Sequence, residues 1–411
     1  VLFAGGTVMI ALLGLLALGL GSLRGVALAV SLTVLVTMVA SITLLPALLT
    51  LFGRRLERAV RRRADRDRGA RWRSWATLVQ GRPWPALVVA LAALAGLALP
   101  ALGTHLGFAD EGTESPDSTT RQAYDLLAEG FGPGFNGPLV VVVEGSPSAM
   151  AELTEAVSDV DGVAGTGEPR MTGGFGVLMV YPDTAPQDPA TSGLVTRLRE
   201  KVLPGLASRT GATCLVGGSV AAAADFAGAV GDRLPLFVLV VVGLSALLLM
   251  VVFRSLLVPL KAALLNLLSI GAALGAMTLV FQHGLLGEQP GPIEAFVPVL
   301  VFAIVFGLSM DYEVFLVTRM HEEWRRTGDA SRAVREGLAT TGGVITAAAA
   351  IMIVVFGAFL LDQDRMLRQF GLGLAVAVLV DALVIRCLVV PAVMRLLGSW
   401  AWWFPGRKRE V

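Results

Sequence analysis

The chain has 411 residues, of which 55% are hydrophobic and only 16% charged, against about 25% charged in soluble domains; its mean hydropathy is +0.72. These values exclude an ordinary soluble multidomain protein, and a net charge of +1 provides no global field for steering a partner. The two cysteines, Cys214 and Cys387, fall in a mixed and an apolar stretch, and His105, His283 and His321 are scattered, so neither a disulfide framework nor a metal-type spacing is expected.

In chain order, apolar blocks occupy roughly 1–20, 26–52, 84–102, 234–253, 256–282, 293–318, 340–361 and 367–397. Each is near the ~20 residues that cross a ~30 Å hydrocarbon core, which predicts a polytopic α-helical membrane protein with about eight transmembrane helices. The first block starts at Val1 without Met or a basic flank. That argues against a signal peptide and predicts that the sequence begins partway through a larger protein.

Segment 54–82 holds eleven arginines against Glu57, Asp65 and Asp67. By the positive-inside bias it is cytoplasmic, a topology anchor rather than a nucleic-acid or anionic-lipid site. Alternation then places 254–261 (Arg254, Lys261), 319–338 and the tail (Arg407, Lys408, Arg409) inside, and 104–233 outside the cytoplasm.

Within that outer region, strands are expected near 138–144, 162–168, 175–181 and 212–217, with helices over 147–159 and 189–203. This βαββαβ order is that of an α+β ferredoxin-like domain. An extra helix is expected before the first strand, from Pro116 to Glu129, and a helical stretch over 218–232 leads back to the membrane.

A weak internal repeat also shows. Gly5-Gly6 and Gly342-Gly343 each open a helix pair, and Pro46-Ala47 and Gly53 match Pro391-Ala392 and Gly398 at an offset of 345, which suggests a duplicated bundle.

Two carboxylates lie deep in apolar blocks: Asp311 in FGLSMDYEVFL and Asp381 in AVLVDALVIR. An ionised side chain at mid-membrane costs about 2.5–3.5 kcal/mol even on the lenient insertion scale, so each needs a reason. Both sit about 14–16 residues from the outer ends of their helices, and so at similar depth. They read as proton-binding groups on one polar track, or as hydrogen-bonding glue between helices. Tyr312 supplies a hydroxyl beside Asp311. Glu313 points to a different face, and Arg386, five residues beyond Asp381, is expected to miss it on an α-helix. The repeat places Val36 and Ser41 opposite Asp381 and Arg386, so the earlier helix pair lacks this couple. No enzyme is predicted: there is no GxxxxGK loop, zinc motif or serine elbow, and Asp381 lacks the glycine-flanked setting of an intramembrane aspartyl protease.

FGLSMDYEVFLVTRMHEEW (306–324), FRSLLVPLKAALLNLLSIGAALG (253–275) and QFGLGLAVAVLVDALVIRCLVVPAVMRLLG (369–398) resemble the MMPL family of the resistance-nodulation-division (RND) superfamily. The resemblance implies a twelve-helix fold in two repeats, each with an outer porter domain. Residues 1–53 would then be the last two helices of the first repeat, 54–82 a linker, 83–103 the seventh helix, 104–233 a porter domain, 234–398 helices eight to twelve and 399–411 a cytoplasmic tail. It further implies a proton-driven secondary transporter in the bacterial cytoplasmic membrane, exporting lipids or other hydrophobic molecules, with protons as coupling ion and no cofactor. Asp311 and Tyr312 match the family's proton-relay pair, with Glu313, Phe315, Asp381, Arg386 and Thr7 as supporting candidates. The matching pair of the fourth helix has no counterpart in this sequence. Expected partners are membrane lipids and a lipidic substrate, not nucleic acid, with a homo-oligomer or accessory membrane proteins open. The rival expectations are a sterol-sensing-like membrane sensor or scaffold, and a helper of protein translocation.

Overall fold

The computed structural model describes residues 2–64 and 69–403. Arg66, Arg68, Asp65 and Asp67 of the expected linker, and Arg407, Lys408 and Arg409 of the expected tail, lie outside the described residues. The chain forms two units. One is helical and takes the chain up to Thr104, Arg233–Leu279 and the chain from Val297 onward; the other comprises His105–Asp232 and Val280–Phe296.

The helical unit opens with α1 (Leu2–Gly14), which runs into a 3-10 turn at Leu15–Leu18. Gly19 then adopts φ 65°, a left-handed stop that favours glycine, and the Arg233 guanidinium donates to the Leu18 carbonyl. The next helix, α2 (Gly21–Ala64), runs on well past its apolar stretch, which suits the helix-forming Leu, Ala, Arg and Glu there. After it come α3 (Gly69–Gly81) and α4 (Pro83–Ala98). The former is more than linker: it buries Ala76 and Val79.

The second unit begins with β1 (Leu106–Gly107) and α5 (Thr119–Phe131). The core elements follow as β2 (Leu139–Glu144), α6 (Pro147–Ser158), β3 (Val163–Thr166), β4 (Arg170–Thr172), β5 (Phe175–Pro182), α7 (Pro189–Arg197), α8 (Leu203–Thr210) and β6 (Thr213–Gly217). The sheet order is β3-β5-β2-β6, all antiparallel, with β4 hairpinned onto β5. This is the ferredoxin-like arrangement that the strand and helix order predicts. Alternation explains which face is covered: Leu139, Val141 and Val143 are fully buried together with Leu153, Val157, Leu194 and Leu198. The helices start where caps allow. Ser146 accepts from the Ala149 amide and Asp188 from that of Ala190, each followed by proline.

One boundary differs from the sequence reading. The segment expected as a short outer loop, 283–292, belongs to this unit, because β7 (Ile293–Glu294) pairs in parallel with β1. The buried Glu294 carboxylate also accepts from the Ala109 amide at 3.0 Å. A two-residue pairing leaves no periodic trace in sequence.

The chain returns through α9 (Ser219–Phe253), α10 (Leu257–Met277), α11 (Val297–Thr327) and α12 (Ala330–Ala358). It closes with α13 (Arg365–Leu379), a ten-residue π-helical segment Val380–Val389, and α14 (Val390–Leu397). The expected tail is not wholly free of the bundle. A 3-10 turn over Gly398–Trp402 buries Ala401, whose carbonyl accepts from the Ser255 hydroxyl at 2.7 Å.

Among the described residues, seven helices are long and apolar enough to cross a membrane. In the first of the eight expected blocks the described apolar helix is Gly5–Gly14, and the chain continues from it as a 3-10 turn to Leu18. Membrane helices gain little from hydrophobic burial against one another and depend on close packing. Small residues provide it here. A Cβ at Gly275 of α10 would lie 1.9 Å from the Leu97 carbonyl oxygen of α4, and one at Gly307 of α11 would lie 2.8 Å from the Val8 Cα of α1. Backbone cannot yield as a side-chain tip does. We expect Gly275→Ala to cost about 1–3 kcal/mol, read as a lowered thermal midpoint in detergent; an unchanged midpoint would show that this crossing has slack.

Candidate functional site

The polar residues of the bundle converge on α11. Ser309 and Glu313, four apart, share a face and are both buried. Asp311 lies between them in sequence but on the side of Gly307, the face that packs against α1.

The Ser309–Glu313 face meets a buried ionic set. Arg386, 1% exposed, sits at its centre. Its Nε donates to Asp381 Oδ2 at 3.2 Å and its Nη1 to Glu313 Oε2 at 2.5 Å. Its Nη2 donates to the Ser309 carbonyl and, at 2.8 Å, to Ser309 Oγ. Lys261 Nζ of α10 closes the set at 2.7 Å from Glu313 Oε1. Two carboxylates and two cations thus balance. Burying charges in low dielectric is tolerable only with such pairing and with the remaining lone pairs satisfied.

The Asp381–Arg386 contact corrects the expectation that a spacing of five separates the two. On an α-helix residues five apart diverge by about 140°. The segment Val380–Val389 is π-helical, with i→i+5 closure that brings residue i+5 back over residue i. π-turns of this kind recur at functional sites.

Ser309 Oγ lies 2.7 Å from Asp381 Oδ1 and 2.5 Å from Asn266 Oδ1, but a hydroxyl has one proton to give. Turning the Asn266 amide resolves this. Its Nδ2, which has no partner among the described residues, then donates to Ser309 Oγ, and Ser309 donates to Asp381. A narrow cleft beside this chain is lined by Ser309, Tyr312 and Asp381 together with Val305, Leu308, Ala377 and Val378. It has room for about one water.

Of the sequence-derived candidates, Glu313, Asp381 and Arg386 come together in this set. Asp311 does not join it: it is half-buried, and among the described residues no hydrogen bond or ion pair reaches its carboxylate. Tyr312 is half-buried and turns its hydroxyl to the Met352 sulfur of α12 at 3.6 Å. Thr7 is buried on α1 next to Val8, the residue that meets Gly307 one turn before Asp311. Phe315 lies on an exposed side of α11.

Sequence reasoning missed Lys261, Asn266 and Ser309. Lys261 reads as a loop charge, yet α10 begins at Leu257, so it occupies the second helical turn and is 7% exposed. The signal was Ser255, just ahead of the helix, whose Oγ accepts from the Val258 amide of the first turn at 3.2 Å.

The MMPL family model matches residues 1–88 and 175–411. Membrane protein YdfJ of Bacillus subtilis is 37% identical over 418 residues, covering 98% of this chain and 57% of its own length. The mycolic acid-containing lipids exporter MmpL11 of Mycolicibacterium smegmatis is 34% identical over 436 residues, covering 98% of this chain and 44% of its own. The chain therefore spans about half the length of the curated relatives it matches. Among solved structures, SecDF from Thermus, a translocon-associated membrane protein, superposes with a TM-score of 0.52 over 96% of this chain and 47% of that one. At 16% identity that is a likeness of fold. With a family model matching most of its length and relatives aligned along nearly all of it, the chain belongs to the MMPL family of multi-pass membrane proteins.

Proposed function

We propose that the chain is part of a secondary transporter that exports lipids or other hydrophobic molecules across the cytoplasmic membrane, driven by proton entry. The observation that carries this reading is the contrast between the two faces of α11. One face holds the closed ionic set of Lys261, Glu313, Asp381 and Arg386. The other carries Asp311, half-buried, whose carboxylate no hydrogen bond or ion pair reaches among the described residues and which the Arg386 charge attracts only from a distance.

The closed set has no net charge to exchange, and it pins α11 to α10 and to the π-helical segment. Asp311 is the group whose charge can change without breaking a hydrogen bond or ion pair of that set. Protonation removes an intramembrane charge worth about 2.5–3.5 kcal/mol, enough to shift a two-state equilibrium of the bundle by about two orders of magnitude. Proton entry then selects one arrangement of α1 against α11, and proton release the other. The ferredoxin-like unit takes the cargo on the outer side. The MmpL11 relative, a lipids exporter by name, supports the cargo class.

Proteoliposomes of the full-length protein, loaded with a fluorescent phospholipid, test the reading. Export is expected to rise several-fold when a pH gradient is imposed in the direction of proton entry. Equal flux with and without the gradient would sink proton coupling and leave a sensor or scaffold.

A further inference from the structure

The last apolar helix contains Pro391, the second residue after the π-helical segment. Proline has no amide hydrogen, so it deprives the carbonyl four residues back, that of Cys387, of its α-helical donor. A π-type bond runs from the Val390 amide to the Ile385 carbonyl where the segment ends. The Cys387 carbonyl thus lacks its α-helical donor at the junction where π geometry returns to α, one residue from Arg386. A carbonyl without a donor inside a membrane bundle is costly.

The missing donor is supplied from outside the helix. Trp75 Nε1 of α3 donates to the Cys387 carbonyl at 2.7 Å. Three further contacts fix α3 for this. Arg73 Nε meets Glu336 of α12 at 3.0 Å, Gln80 donates to the Ser331 carbonyl at 3.3 Å, and the Trp72 ring fills the space over Gly342, where a Cβ would lie 2.6 Å from Trp72 Cδ2. The glycine pair noted in the sequence therefore has a use at its first member: it admits Trp72.

We infer that Trp75 is a positioning residue, replacing the amide that Pro391 lacks and so holding the π register that sets Arg386 against Asp381. The segment between the second and third apolar blocks is on this account part of the transport machinery, coupled to the ionic set through one indole N–H. The inference deepens the transport reading, and its role in flux rests on that reading.

Hydrogen–deuterium exchange of peptides spanning 380–392, in the full-length protein in lipid nanodiscs, tests the clamp without reference to transport. Trp75→Phe keeps an aromatic ring, smaller than the indole, and removes the N–H. Exchange in this segment is expected to quicken about tenfold. Pro391→Ala restores a backbone donor to Cys387, so the double variant is expected to return to within about twofold of Pro391→Ala alone. Export of the fluorescent phospholipid is expected to follow the same order: lowered in Trp75→Phe and recovered in the double variant. Exchange in Trp75→Phe equal to that of the unaltered protein would overturn the clamp, as would a rise that Pro391→Ala fails to reverse. If the exchange pattern holds while the unaltered protein shows no gradient-driven export, the transport reading falls and the clamp stands.

Discussion

Replacing Arg386 by Met will cost about 3–5 kcal/mol of stability, because it leaves two buried carboxylates facing one cation. The guanidinium holds Asp381, Glu313 and both oxygens of Ser309 at once. Once it is gone, Lys261 balances Glu313, but Asp381 keeps only the Ser309 hydroxyl. The stranded charge, more than the lost contact, sets the size of the effect. It follows that removing both charges is milder than removing one. Arg386→Gln with Asp381→Asn leaves the Lys261–Glu313 pair intact and neutral, and is expected to recover most of the loss. Folded yield and thermal midpoint in detergent measure both variants. A single variant as stable as the unaltered protein would show that the four groups are not held as an ionised set.

The second large effect falls on transport and spares the fold. Asp311→Asn removes a half-buried charge that no hydrogen bond or ion pair holds among the described residues, so the ionic set around Arg386 keeps its own pairs. The thermal midpoint is expected to stay the same or rise slightly, since an intramembrane charge has been neutralised. Proton-coupled export is expected to fall by about two orders of magnitude, because the bundle loses the difference between its protonated and deprotonated states. Asn reproduces the size and hydrogen bonding of a protonated carboxyl but cannot release a proton. A variant that folds normally and does not export separates a switch from a structural residue. One that unfolds would mean that Asp311 serves as helix glue.

Much of this arrangement is legible in the sequence because its causes are periodic or compositional. The apolar blocks mark seven spans, and alternation in PLVVVVE marks β2, whose buried side is Leu139, Val141 and Val143. Asp311 and Asp381 stand out because a charge in such blocks needs a reason. The ionic set is harder to read. The Asp381–Arg386 pairing depends on a π-helix, and a spacing of five argues against it wherever 3.6 residues per turn is assumed. Lys261 hides behind a charge pattern that suits a loop as well as a helix start. Asn266 and Ser309 are ordinary residues at helix crossings, and only their neighbours across α10 and α11 give them a role. The 280–296 excursion joins the ferredoxin-like unit through a parallel pair of two residues, too short to carry a period. Trp75 sits in a segment where the arginines dominate, and its partner is a carbonyl, which sequence cannot display.

The most direct measurement of the central claim is proton movement itself. Full-length protein is reconstituted with a pH-reporting dye trapped in the lumen, an imposed pH gradient and the fluorescent phospholipid as cargo. The unaltered protein is expected to dissipate the gradient only when cargo is present, and Asp311→Asn to show background leakage alone. Dissipation at the same rate in both proteins would contradict that claim.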